Sequence, residues 1–371
     1  MPKAYGRIYV WQLQNDYPGA SPNDSELNIG EMWVKAADGM YHQGTFDSHG
    51  LEVGLPDQIS PIRKVYDDQK INMIPWVVPH GMYPGYGPNY DAFALPQKVS
   101  EVVEAGSRIR PNLAAVNLSG KSYAYREGFF HGLYAVAAKD LTPQGYSDRA
   151  ILIIDLEPSY YGGSTPQFWR EDLGAGPKQV IDYIDGAVAA GVEEIWVASV
   201  HRADPSALRA VSFSAWWGHP RVSRLAPQTY WTDFGSKTKR QKPADAIFEF
   251  ERSMDILHQE WDPSQVILTL PATGQPDELE WAYDYARTNN FPIPSIWRRG
   301  TMEANDWEVV KNLSQVDWPV LPTSPTPPPI GSAGVPEGVY NDMANAIIDS
   351  TAKIRNELNK IDSLIQQNRP K

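Results

Sequence analysis

The chain has 371 residues, no cysteine, 7 histidines and a formal net charge of −12. Without cysteine there is no disulfide staple, thiolate nucleophile or Cys-based zinc site, and so few histidines argue against a His-rich metal centre. The acidic balance argues against nucleic acid as the main partner, because phosphate binding depends on Lys and Arg.

The hydrophobic fraction of 42% is enough for a real core. Aromatics make up 11%, with 13 Trp and 19 Tyr. Such flat faces either stack on sugar rings or fill a large core. The opening residues, MPKAYGRIYVWQL, lack a long apolar stretch ending in a small-residue cleavage site, so no signal peptide is expected. The expectation is cytoplasmic synthesis, with the product virion-associated or released without a classical signal. No uninterrupted apolar run approaches the roughly 20 residues of a membrane span.

In chain order the apolar runs are Arg7–Leu13, Glu31–Ala36, Ile71–Val78, Ala150–Leu156, Glu194–Val200, Leu225–Trp231, Val266–Leu270 and Ile293–Trp297. Several carry apolar residues at consecutive positions, as strands buried on both faces do in a parallel sheet. Between the fourth and fifth runs, Pro177–Gly191 reads as a helix, with Pro177 near its start, Val180, Ile181, Ile184 and Val188 on one side, and Gly191 as its stop. Eight such runs separated by helical patterns predict an α/β fold, a (β/α)8 TIM-type barrel, over residues 1–317. Residues 318–338, rich in Pro, Gly and Ser, read as an extended linker. Over 339–371 two seven-residue series appear, Tyr340, Ile347, Ile354, Ile361, Asn368 and Ala344, Thr351, Leu358, Ile365. They form the a/d seam of a C-terminal helical coiled coil, which predicts a homo-oligomer. A single amphipathic helix is the alternative.

In a parallel barrel the working residues sit at the C-terminal ends of strands. Asp155 and Glu157 occupy that place on ILIIDLEP, the most hydrophobic strand of the chain. A spacing of two sends both side chains to the same side of the strand. Two carboxylates in an apolar mouth repel, so one is pushed to keep its proton and act as an acid. Glycosidic bond hydrolysis needs that division of labour. Alternatively, one of them pairs with an Arg or caps the next helix.

ILIIDLEP resembles the strand bearing the paired Asp and Glu of family 25 glycoside hydrolases, the lysozymes of the Chalaropsis type. Met32–Asp47 is similar to their second-strand pattern of an apolar run, Lys-Ala-Thr-Glu-Gly, then an aromatic and an Asp. Lys35, Ala36 and Gly39 fit, while Ala37 and Asp38 replace the Thr and Glu. Ile71–Gly81 resembles the strand ending in a Tyr-His-Phe-like triplet, with His80 in place. The resemblance implies Glu157 as general acid and Asp155 as its partner carboxylate, which stabilises developing charge at the sugar or positions a water or the substrate's acetamido group. It also implies an Asp at the end of the first strand. This chain has Val10-Trp11-Gln12-Leu13-Gln14-Asn15-Asp16 there, so only Asp16, a few residues late, is available. A further acid near the last strand would be Glu303 or Asp306. No metal or organic cofactor is implied.

Trp11, Trp76, Tyr160, Tyr230 and Trp297 lie near predicted strand ends, where a sugar would stack, although some must fill the barrel. His80, and more weakly His201, Arg202 and Asp204, follow strands and are candidate substrate contacts. Gly85-Tyr86-Gly87 and Gly162-Gly163 lack the strand–loop–helix context of a phosphate loop. Two functions are therefore expected. One is a lysozyme-like glycosidase acting on a β-linked amino-sugar polymer such as peptidoglycan. The other is a non-catalytic carbohydrate-binding or structural component of a phage particle or surface assembly, displayed through the coiled coil.

Overall fold

The computed structural model describes residues 6–10, 29–38, 41–42, 72–80, 117–141, 149–156, 169, 175–199, 205–232, 241–272, 275–313, 316 and 318. The chain divides into two units, Met1–Ser324 and Pro325–Lys371, and every described residue belongs to the first. The coiled-coil segment 339–371, and the linker apart from Trp318, lie outside the described residues. Among the described residues no helix is long and apolar enough to cross a membrane.

The strands are β1 (Gly6–Val10), β2 (Ile29–Asp38), β3 (Tyr41–His42), β4 (Asn72–Val78), β5 (Ile151–Asp155), β6 (Glu194–Ser199), β7 (Val222–Pro227), β8 (Thr269–Pro271) and β9 (Ser295–Trp297). The short β3 pairs antiparallel with the end of β2. The other eight are parallel neighbours in the order β7-β6-β5-β4-β2-β1-β9-β8. Parallel bridges Leu225↔Val266 and Gln228↔Thr269 join β7 to the β8 segment and close the ring. This is the eight-stranded parallel barrel expected from the sequence.

Alternation along each strand explains why the runs are apolar at consecutive positions. Tyr9, Trp33, Ile74, Trp76, Ile151, Ile153, Trp196, Ala198, Ala226 and Ile267 form one cluster, the barrel interior. Their neighbours Ile8, Val10, Met32, Val34, Val77, Leu152, Ile154, Ile195, Val197 and Leu225 belong to a second cluster shared with the helices. Both faces of most strands are thus buried, and the polar groups on the inner face cluster at the two ends of the barrel interior.

The helices are α1 (Tyr123–Leu141), α2 (Pro177–Ala190), α3 (Pro205–Ala210), α4 (Phe213–Trp217), α5 (Pro243–Ile256), α6 (Pro276–Thr288) and α7 (Ala304–Leu313). Helix α2 has the expected bounds: Pro177 opens it, and Gly191 ends it in the left-handed region at φ 111°. Its buried face holds Val180, Tyr183, Ile184, Gly186, Ala187 and Ala190. That face is turned from the predicted one, because α1 packs against the side carrying Gly186. A Cβ at Gly128 would overlap the Tyr183 carbonyl, and one at Gly186 would overlap the Tyr125 carbonyl. The two backbones therefore touch where only glycine fits. Trp318, placed at the start of the linker, is buried, and its ring meets Tyr283 edge-on at 5.8 Å.

The two ends of the barrel interior differ in chemistry. At the N-terminal end Arg7 Nε lies 2.7 Å from Glu31 Oε2, and Arg149 pairs with Glu194. Glu31 also accepts from the Trp33 indole, and Glu194 from the Trp196 indole and the Ser223 hydroxyl. The Arg224 guanidinium lies over the Trp196 ring at 5.6 Å. Burial, and then the charge of Arg7, lower the pKa of Arg224 to about 10.

Candidate functional site

Strand β5 runs Ile151, Ile153, Asp155 along its inner side, so Asp155 is the first polar group above two isoleucines. It is 1% exposed. Gln228, just past β7 and itself buried, donates from Nε2 to Asp155 Oδ1 at 2.8 Å. A buried carboxylate must have such donors to offset its desolvation. Gln228 is also one of the bridge residues that close the ring.

Below Asp155 sits Tyr9, 1% exposed, with edge-on contacts to Trp33 at 4.8 Å, Trp297 at 5.1 Å and Trp76 at 5.8 Å. Burial first, and then the negative charge of Asp155, hold its hydroxyl well above the usual tyrosine range, while the Thr269 side chain works the other way. Tyr9 therefore stays protonated beside the carboxylate. The Thr269 hydroxyl accepts from the Ser295 hydroxyl at 2.9 Å. Lys35, buried on β2, places its ammonium 4.9 Å from the Trp76 ring centre.

The structure separates the predicted substrate contacts. Trp76 is 1% exposed, and its indole N–H donates to the Val10 carbonyl at 3.2 Å, so it fills the barrel. Tyr230 is buried, with its ring centre 6.4 Å from that of Trp297. Trp297 is only partly buried and packs on the interior cluster from above, at the C-terminal end of β9. His80 is partly buried two residues past β4, and its backbone N–H donates to Glu127 Oε1 at 2.9 Å. Asp306 is buried and accepts from the Glu303 N–H at 2.8 Å, so it serves the first turn of α7. Glu157, Asp16, Trp11, Tyr160, His201, Arg202 and Asp204 lie outside the described residues.

Two groups at this site escaped the sequence reading, Gln228 and Tyr9. The signal for both was inward parity, Tyr9 between Ile8 and Val10, and Gln228 two residues after Ala226.

No family model matches the chain, and no curated protein matches it in sequence. Solved structures do. The glycoside hydrolase domain of PgaB from Bordetella bronchiseptica aligns with 12% identity over 85% of this chain and 99% of that one, at a TM-score of 0.44. The spore cortex-lytic enzyme SleL of Bacillus megaterium aligns with 9% identity over 85% of this chain and 75% of that one, at 0.46. The catalytic domain of a psychrophilic chitinase B from Arthrobacter aligns with 11% identity over 88% and 99%, at 0.43. The family 25 resemblance stands on the residues quoted for it alone.

Proposed function

We propose that the C-terminal mouth of the barrel binds a glycan and hydrolyses it as a glycosidase acting on a β-linked amino-sugar polymer, such as peptidoglycan. The observation that carries this reading is Asp155: a carboxylate buried to 1% at the end of the most apolar strand, held by the amide of Gln228 and close enough to Tyr9 for its charge to act on that hydroxyl. Glu157 follows two residues later on the same chain and is the general acid that protonates the leaving oxygen. Asp155 is its partner, acting on positive charge at the sugar or on the group that attacks it. Gln228 fixes the Asp155 carboxylate, so little reorganisation is needed when charge develops nearby. Trp297, partly exposed, is the ring on which a sugar face would stack.

Hydrolysis is tested by incubating the purified protein with peptidoglycan and chitin fragments and weighing the products. Glu157→Gln should remove about 10³-fold of the turnover and leave the thermal midpoint in place. Identical products from both proteins would overturn catalysis at this site.

The second reading is a non-catalytic glycan-binding or architectural head of a phage particle or surface assembly, multiplied by the coiled coil of 339–371. The net charge of −12 favours it, since an acidic enzyme approaches anionic walls poorly. A chain truncated after Trp318 that kept its oligomeric state in light scattering would count against it.

A further inference from the structure

Behind the mouth lies a buried polar set that the proposed chemistry does not use. Glu127 on α1 is 0% exposed, His131 one turn later is 1% exposed, and Tyr183 of α2 is 0% exposed. The Tyr183 hydroxyl and His131 Nδ1 share a hydrogen bond of 2.5 Å. Burial, followed by the charge of Glu127, holds the Tyr183 hydroxyl well above its ordinary range, so it keeps its proton.

Glu127 is one residue from Gly128, whose missing Cβ lets α1 rest on the Tyr183 carbonyl, and α2 returns the contact through Gly186 against the Tyr125 carbonyl. The α1 backbone around Glu127 is thereby held tightly against α2. A carboxylate placed there costs several kcal/mol unless its oxygens receive hydrogen bonds. One of those bonds comes from the backbone N–H of His80, at 2.9 Å. Hydrogen bonds to a charged acceptor are shorter and stronger than neutral ones. The first residues beyond β4 are consequently anchored to a rigid helix pair.

We infer that Glu127 is a positioning residue for glycan binding: it holds the peptide after β4, and with it the His80 imidazole, at the barrel mouth. This inference rests on the proposed reading of the mouth as a glycan site.

The test is a double-mutant cycle read by calorimetric titration with tetra-N-acetylchitotetraose, in a Glu157→Gln background so that the ligand is not consumed. Glu127→Met removes the acceptor, Glu127→Gln keeps one, and His80→Ala removes the group that is positioned. Glu127→Met should weaken binding about tenfold, as should His80→Ala. Glu127→Gln should stay within about threefold, and the Glu127→Met/His80→Ala pair should be no worse than either alone. Additive losses, or a Gln variant as weak as the Met variant, would overturn the inference while leaving the glycan site intact. No binding by the parent protein would overturn the glycan reading itself, and the inference with it. Should Glu127→Met fail to fold, the unmodified protein still decides. Its His80 amide must exchange with solvent far more slowly than an open chain, and exchange at the open-chain rate refutes the anchor.

Discussion

The two ends of the barrel interior use buried charge in opposite ways. At the N-terminal end, acids and bases from five strand segments meet each other: Arg7 with Glu31, Arg149 with Glu194, and Arg224 over Trp196. At the C-terminal end, the carboxylate of Asp155 meets an amide, with a protonated tyrosine beneath it. Cross-paired charges neutralise each other and lock the strands that carry them. An amide orients a carboxylate without cancelling its charge. The difference teaches that burial alone does not mark a site, since both ends are buried, whereas the nature of the partner does.

If this contrast holds, damage at the N-terminal end changes stability and damage at the C-terminal end changes turnover. The largest effect is expected for Glu194→Ala. It strips Arg149, the Trp196 indole and the Ser223 hydroxyl of their acceptor at once. Urea unfolding should show a loss of about 3–5 kcal/mol, with kcat of the folded fraction unchanged. A parallel fall in kcat would erase the distinction.

Next comes His219, which precedes β7 at the same end. Burial, and then the charge of Arg221, lower its pKa from 6.5 to about 4. Its Nδ1 accepts the Arg221 backbone N–H, as a neutral imidazole can. The unfolded chain takes up this proton near pH 6.5 and the folded one only near 4. Stability is therefore full above pH 6.5 and falls as the pH drops towards 4, by about 3 kcal/mol. His219→Asn keeps an acceptor without the titration and should flatten that slope. An unchanged slope would place the acid sensitivity elsewhere.

Asp155→Asn comes third. The amide still accepts from Gln228, so the thermal midpoint should hold, while the lost charge should cut kcat about 100-fold. A stable variant with full turnover would show that the C-terminal end is not a catalytic site. The smallest effect is expected for Gln228→Leu, which leaves Asp155 without that donor and costs about 1–2 kcal/mol. Its turnover should fall more than its stability, in contrast to Glu194→Ala.

All eight parallel strands were legible as apolar runs, since both of their faces are dry. At the start of β7 polar groups hid the strand. β7 begins at Val222, but Ser223 and Arg224 broke the run and delayed the expected start to Leu225. Helix α1 was not read at all. Glu127, Gly128, His131 and Gly132 interrupt its apolar pattern, because the face against α2 selects for the absence of a side chain and for buried hydrogen bonds. At the site, Asp155 was legible from its strand. Gln228 was not, because its contact spans 73 residues and exists only once the ring has closed.

The aromatic filling of the barrel has one more consequence. Tyr9, Trp33, Trp76 and Trp196 occupy the axis, each 3% exposed or less, and the paired charges lie beneath them. Among the described residues, these side chains fill the interior between the two ends. A glycan bound at the C-terminal mouth, as proposed above, would therefore be kept apart from the paired charges at the other end by this aromatic layer.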